Sequence, residues 1–285
     1  MVKILADSTC DLSEELTALY DVDILPLHIL LGTEDYLDGR EISPDDIYKW
    51  ADAHMTTPKT SAPSIEEAIT LLQPYVGEGR EVVCFAISED MSASANVMRL
   101  AARELDAEDR ISVIDSCNLS TGIGLLVIEA SIMARKGWAA SQITAEIEML
   151  KPLVRASFVV DTLTYLYRGG RCTGLTALLG SALKIHPKIV VEDGKMHPAK
   201  KYRGQINNVV FSYADDLKTQ LKNAKTDRVF ITHSGCREDI IESIFSYLEN
   251  LHIFSEILVT RAGGVISSHC GPGTLGILFI SNEIS

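Results

Sequence analysis

Short β-branched runs alternate with longer segments of helical spacing, and this alternation restricts the fold more than any other feature of the chain. Val2–Leu5, Val82–Ile87 and Ile111–Ile114 are short and nearly continuous in apolar side chains, the pattern of strands covered on both faces. Ile65–Tyr75, Val97–Leu105 and Gly124–Arg135 repeat apolar residues at helical spacing. Strand–helix–strand order predicts a parallel sheet layered with helices, an α/β fold. Val22–Leu31 reads as one further strand, continuing through Gly32-Thr33-Glu34-Asp35-Tyr36 into a hairpin or excursion.

At 285 residues the chain is long for a single core, so two domains are expected. The reading is a layered N-terminal α/β domain over residues 1–155 and a smaller α/β C-terminal domain over residues 156–285. The second block holds a strand at Phe158–Val160, a short helix, the breaker Gly169-Gly170 and a helix over Leu175–Leu183. A hairpin at Val190–Met196 follows, turning at Asp193-Gly194. Then come helix Asn207–Leu221, strand Val229–Thr232, helix Asp239–Leu251 and strand Ile253–Val259. Val265-Ile266 and Ile277–Ile280 read as apolar strand on either side of a glycine turn. No linker rich in Pro, Gly or Ser separates the blocks, so tight packing between them is expected.

An apolar content of 46% removes disorder from consideration, and a net charge of −13 disfavours nucleic acid and anionic membrane surfaces. The N-terminal apolar run meets Asp7 too soon for a signal peptide, and no stretch has the length of a bilayer span. Six cysteines stand apart without a CxxC, which points to a reduced, cytoplasmic protein. The scattered histidines lack metal-site spacing, and neither dinucleotide nor P-loop glycine motifs occur, so no metal or cofactor is expected. A monomer is the default.

Four places could carry chemistry. His269 stands at the mouth of a turn containing Gly271 and Gly273, whose freedom at positive φ lets a loop line a ligand site. Thr60 and Ser61 precede Ser64, which with Glu67 fits a capping box and so needs no ligand to explain it. Ser92 and Ser94 follow the strand Val82–Ile87, where helix-start amides and hydroxyls could hold an anion, although serines there are often only caps. Gly169-Gly170-Arg171 could aim a guanidinium at a carboxylate or phosphate, or leave it on the surface after a helix end. Ser92 and His269, with Asp7 or Asp115, could also imitate a hydrolase set, but no G-x-S-x-G elbow is present. A phosphate-accepting His269 is a third reading.

Taken in order, the segments resemble the DegV family of bacterial fatty-acid-binding proteins over nearly the whole chain. The resemblance rests on Asp7-Ser8-Thr9-Cys10-Asp11-Leu12, Leu25-Pro26-Leu27, Tyr36-Leu37-Asp38-Gly39 and Thr60-Ser61-Ala62-Pro63-Ser64. It continues in Met91-Ser92-Ala93-Ser94, similar to the family's L-S-G-T, then Asp115-Ser116, Leu163–Leu166 with Gly169-Gly170-Arg171, and His269–Gly273. It implies a long-chain fatty acid such as hexadecanoate in a slot between two domains. It also implies a separate fatty acid kinase that phosphorylates the carboxylate for phospholipid synthesis. By the same resemblance Thr60 and Ser92 hold the carboxylate, His269 joins their network and Arg171 lies near the head-group. Ser61, Ser94, Gly170, Gly271 and Gly273 would support them, and the protein would be a carrier without catalytic residues. The alternative is a serine hydrolase of acyl esters using Ser92 and His269. Arg203 is a further candidate for the kinase surface. Ala62, Ala93, Ser94 and His186 depart from the family pattern, and none removes a proposed ligand contact.

Overall fold

The computed structural model describes residues 1–175 and 185–284, so the helix expected over Leu175–Leu183 lies outside the described residues apart from Leu175. Strand β1 (Lys3–Asp7) leads through a 3₁₀ turn and helix α1 (Glu14–Tyr20) to β2 (Val22–Leu25), its parallel neighbour. The strand expected over Val22–Leu31 is two strands: Pro26, which has no N–H to give a ladder, ends β2 and turns the chain. Strands β3 (His28–Leu31), β4 (Glu34–Leu37) and β5 (Lys59–Ser61) form a small antiparallel sheet, with α2 (Pro44–His54) between the last two. Helix α3 (Ile65–Gly77) starts on the expected Ser64–Glu67 capping box, and Glu67 also bonds His28 Nε2 at 2.9 Å. Strand β6 (Val82–Ala86), helix α4 (Ser94–Glu104) and β7 (Ile111–Asp115) complete a parallel sheet of order β2-β1-β6-β7.

Helices α5 (Thr121–Arg135) and α6 (Ala140–Leu150) lead to a second sheet. Its strands are β8 (Val154–Val159), β9 (Ile185–Glu192), β10 (Lys195–Arg203), β11 (Ala224–His233), β12 (Glu256–Arg261) and β13 (Leu275–Ser281). They lie in the order β10-β9-β8-β13-β11-β12, and only β11 and β12 pair in parallel. The β9–β10 hairpin turns at Asp193 and Gly194 with φ of 48° and 77°, the left-handed pair that a two-residue type I′ turn requires. Ser88 Oγ donates to the Gly194 carbonyl at 2.7 Å, tying the hairpin tip to the loop after β6.

Helix α7 (Thr164–Gly169) follows β8, and α10 (Glu238–Glu249) and α11 (Gly264–Cys270) flank β12. Three further sequence expectations are corrected. The helix over Asn207–Leu221 is two, α8 (Ile206–Asp216) and α9 (Lys218–Lys222), meeting at Leu217. The strand placed at Ile253–Val259 runs over Glu256–Arg261. Val265-Ile266 belongs to α11 and not to a strand, because a run of seven residues has the same apolar character in either state when buried.

Side-chain alternation explains the layers. Ile4, Ala6, Val83 and Phe85 point to α5, whereas Leu5, Cys84 and Ala86 meet α3 and α4. In the second sheet Ala156, Phe158, Leu278 and Ile280 face α5, and Ile277 and Phe279 face α8 and α10. Helix α5 is therefore sandwiched between the sheets, and 12 of its 15 residues are buried. Among the described residues no helix is long and apolar enough to cross a membrane, and all six cysteines are free.

Asp7, Asp11 and Asp38 are buried where the first sheet's loops meet α11, and burial raises the pKa of each. Asp11 rises from 3.8 to about 8, chiefly by desolvation, with Asp38 and Asp7 adding repulsion. The folded state thus keeps a proton that the unfolded chain releases, so stability falls as pH rises between those two values. Asp11→Asn should flatten that slope, giving a variant several degrees more stable than wild type at pH 8.5 and equal to it near pH 4, read by thermal unfolding. Leu126→Ala, in the middle of α5, should lose about 2–5 kcal/mol in chemical denaturation.

Candidate functional site

A cavity of about 250 Å³ opens between the loops of the first sheet and α11. Thr60 reaches it from the centre of β5, where its backbone pairs with Ile29, and Ser61 follows at the rim. The two hydroxyls therefore sit on a strand, not in the loop their Pro- and Ser-rich surroundings suggest. Ser92 comes from the turn after β6, whose Ser92 N–H donates to the Ser88 carbonyl at 3.1 Å. Its Oγ accepts the Ser94 N–H at 3.3 Å, which leaves the hydroxyl proton free to point elsewhere. His269 arrives on the last turn of α11, and Arg171 from the turn after α7. The cavity thus gathers Thr60, Ser61, Ser92, Arg171 and His269 from four separate segments.

A hydrogen bond of 2.8 Å joins Thr60 Oγ1 and His269 Nε2. The opposite nitrogen, Nδ1, is buried and has no hydrogen-bond partner among the described residues. Burial lowers the imidazole pKa to about 4, helped by the nearby Arg171 cation, so the ring is neutral at physiological pH. Among the described residues no carboxylate bonds the ring. Asp7 accepts the Thr9 and Ile87 N–H groups, and Asp115 accepts those of Glu89 and Cys117. A hydrolase triad lacks its acid here, and Nε2 is engaged by Thr60 and not by Ser92.

The supporting residues have mixed placements. Ser94 is fully buried at the first position of α4 and does not line the cavity. Gly170 adopts φ of 68° to end α7, and Arg171 donates to the Gly169 carbonyl at 2.7 Å, which fixes the guanidinium near the rim. Gly271 and Gly273 also have positive φ, but a Cβ there would meet Tyr165 and Asp161, so their absent side chains make room for protein neighbours. Arg203 lies at the end of β10 and is not among the lining residues. His186 is buried, with Nδ1 at 3.1 Å from the Val160 carbonyl and Nε2 at 3.2 Å from that of Gly204.

The remaining walls are apolar: Leu27, Ile87, Met91, Leu119, Met196 and Ile266. Sequence reasoning missed them because a buried wall and a buried core use the same residues. The available signal was position, since Ile87 and Leu119 lie just past the carboxyl ends of β6 and β7. Leu119, Ile266 and Cys270 also line a second, smaller void together with Phe158 and Leu278. Hydroxyl and cationic groups set among apolar walls in one cavity suit an amphipathic anion.

Three comparisons bear on this arrangement. The family model described as an uncharacterised protein of the DegV family matches residues 1–282. A DegV domain-containing protein of Clostridium perfringens is 32% identical over 279 residues, covering 98% of each chain. The structure of a DegV family protein from Thermus thermophilus, described for its fatty acid binding, superposes with a TM-score of 0.90 at 30% identity, covering 98% of this chain and 99% of that one. A stearic acid-binding protein from Eubacterium ventriosum superposes at 0.83 with 28% identity over 99% and 98% of the two chains.

Gly169 is the glycine that faces the His269 ring. It is helical, so alanine suits its backbone, but a Cβ would stand 2.4 Å from His269 Nδ1. Gly169→Ala should displace the ring, altering the His269 imidazole resonances in nitrogen-15 NMR while changing the melting temperature little.

Proposed function

The chain belongs to the DegV family, and from that premise we propose that it binds one long-chain fatty acid, carboxylate at Thr60 and Ser92 and acyl chain along the apolar walls. The observation that carries the proposal is the Thr60–His269 hydrogen bond at the polar end of an otherwise apolar cavity. A ligand carboxylate only accepts, so Thr60 must donate to it. Its oxygen must then accept from His269, which assigns the proton of the neutral ring to Nε2. That tautomer leaves Nδ1 as a bare lone pair, in keeping with its lack of a partner among the described residues. Ser92 supplies a second donor, and Arg171 supplies positive charge at the rim without being buried itself. Donors of this kind offset the desolvation of a buried carboxylate. Each buried methylene adds ~0.8 kcal/mol, so a chain of about sixteen carbons binds tightly.

In this reading residues 1–155 and 156–285 form two domains and the slot lies between them, since Leu27, Thr60, Ser92 and Leu119 come from the first part and Arg171, Met196, Ile266 and His269 from the second. The protein is a cytoplasmic, monomeric carrier and not an enzyme. It presents the carboxylate to a separate kinase that forms an acyl-phosphate for phospholipid synthesis, with Arg171 beside the presented group. The family resemblance supports the kinase step, and the rim position of Arg171 suits it.

Native mass spectrometry of freshly purified protein should find one intact fatty acid per chain. Thr60→Ala and Ser92→Ala should each lose most of it while remaining folded by circular dichroism. Wild-type occupancy in either variant would overturn the head-group assignment, and acyl-ester turnover abolished by Ser92→Ala would overturn the carrier.

A further inference from the structure

Helix α11 approaches the small sheet so closely that a Cβ on Gly264 would lie 2.4 Å from Ile29 Cδ1 and 2.8 Å from Ile47 Cδ1. Its first residues are glycines, and the N-cap Gly263 has no side chain to satisfy the helix's opening amides. Two acids from distant segments do so instead. Asp11 Oδ1 accepts the Gly263 N–H at 2.8 Å, and Asp38 Oδ1 accepts the Gly264 N–H at 2.7 Å. Their other oxygens reach outward. Asp11 Oδ2 accepts from Ser120 Oγ, one residue from the cavity wall Leu119. Asp38 Oδ2 accepts from Ser8 Oγ at 2.8 Å, and that hydroxyl in turn accepts the Leu27 N–H at 3.1 Å.

We propose that Asp11 and Asp38 are positioning residues of the lipid site, a buried carboxylate pair that holds α11, and with it His269, in fixed relation to the walls at Leu27 and Leu119. The proposal rests on the fatty-acid reading of that cavity. Helix α11 supplies Val265, Ile266, His269 and Cys270 to the cavity, so a shift at its N-terminus moves one whole wall and the histidine with it. Both Oδ1 atoms lie within 3.3 Å of the point a Gly263 side chain would occupy. Burial disfavours ionisation of both acids, Asp38 adds repulsion at Asp11, and such perturbed groups concentrate at functional sites. The motifs Asp7–Leu12 and Tyr36–Gly39 thereby acquire a role, although neither acid lines the cavity.

The test compares alanine with asparagine at both positions, since asparagine keeps an oxygen for the amide and alanine leaves that amide bare. Asp11→Ala and Asp38→Ala should weaken hexadecanoate binding by about tenfold, and the asparagine variants by less than about threefold, measured by displacement of a fluorescent fatty acid. In the ligand-free protein the alanine variants should also shift the nitrogen-15 resonances of the His269 ring, identified by difference against His269→Gln. A purely structural role would lower the melting temperature and leave both readouts of the folded protein unmoved, which would overturn the proposal. If the alanine variants do not fold, Ser8→Ala and Ser120→Ala cut only the outer links. Unchanged hexadecanoate affinity and ring resonances in both would be equally fatal. Failure of wild type to bind hexadecanoate would overturn the fatty-acid reading instead, while the ring resonances would still report on the clamp.

Discussion

Everything in the molecule hangs on the burial of α5 between two sheets. A helix with 12 of its 15 residues buried has almost no face to offer water, so it must be covered on nearly every side. Ile4, Val83 and Phe85 cover it from the parallel sheet, and Ala156, Phe158 and Leu278 from the mixed one. That single contact makes two sheets of different topology share one core. It also sets where the loops at their ends meet. The cavity lies there because Ser120 and Leu119, at the head of α5, face α11 across the seam.

Electrostatically the site differs from its surroundings. The chain carries a net charge of −13, yet the cavity presents hydroxyls, a neutral imidazole and one arginine. The acids near α11 have their oxygens taken by amides and hydroxyls, and burial favours their protonated, uncharged form, so they offer little repulsion to an anion in the cavity. Keeping His269 neutral has a similar effect, because the ring passes on a hydrogen bond without adding a buried cation that would need its own counter-charge.

Much of this was legible in the sequence where physics is local. The three parallel strands, the Ser64–Glu67 capping box and the Asp193-Gly194 turn each depend on residues within a few positions of one another. Thr60, Ser92, Arg171 and His269 were legible as a set through family resemblance, which supplied an order that no single spacing could. What stayed hidden depends on distant partners. Val265-Ile266 is helical because Asp11 and Asp38 cap the segment from far along the chain. Antiparallel pairing of β8 with β9 and β13 is chosen by the closing of a sheet, not by the apolar run Phe158–Val160. The break at Leu217 likewise answers to packing beneath it and not to a local breaker.

The bond from Ser88 to Gly194 has a kinetic meaning. The loop it anchors carries Met91 and Ser92, and the hairpin it anchors carries Met196, so two walls of the cavity are stitched together at one point. Neither wall can swing out alone without breaking that stitch. For the proposed acyl guest, opening the cavity at this point therefore requires loop and hairpin to part from each other, not the jitter of either one.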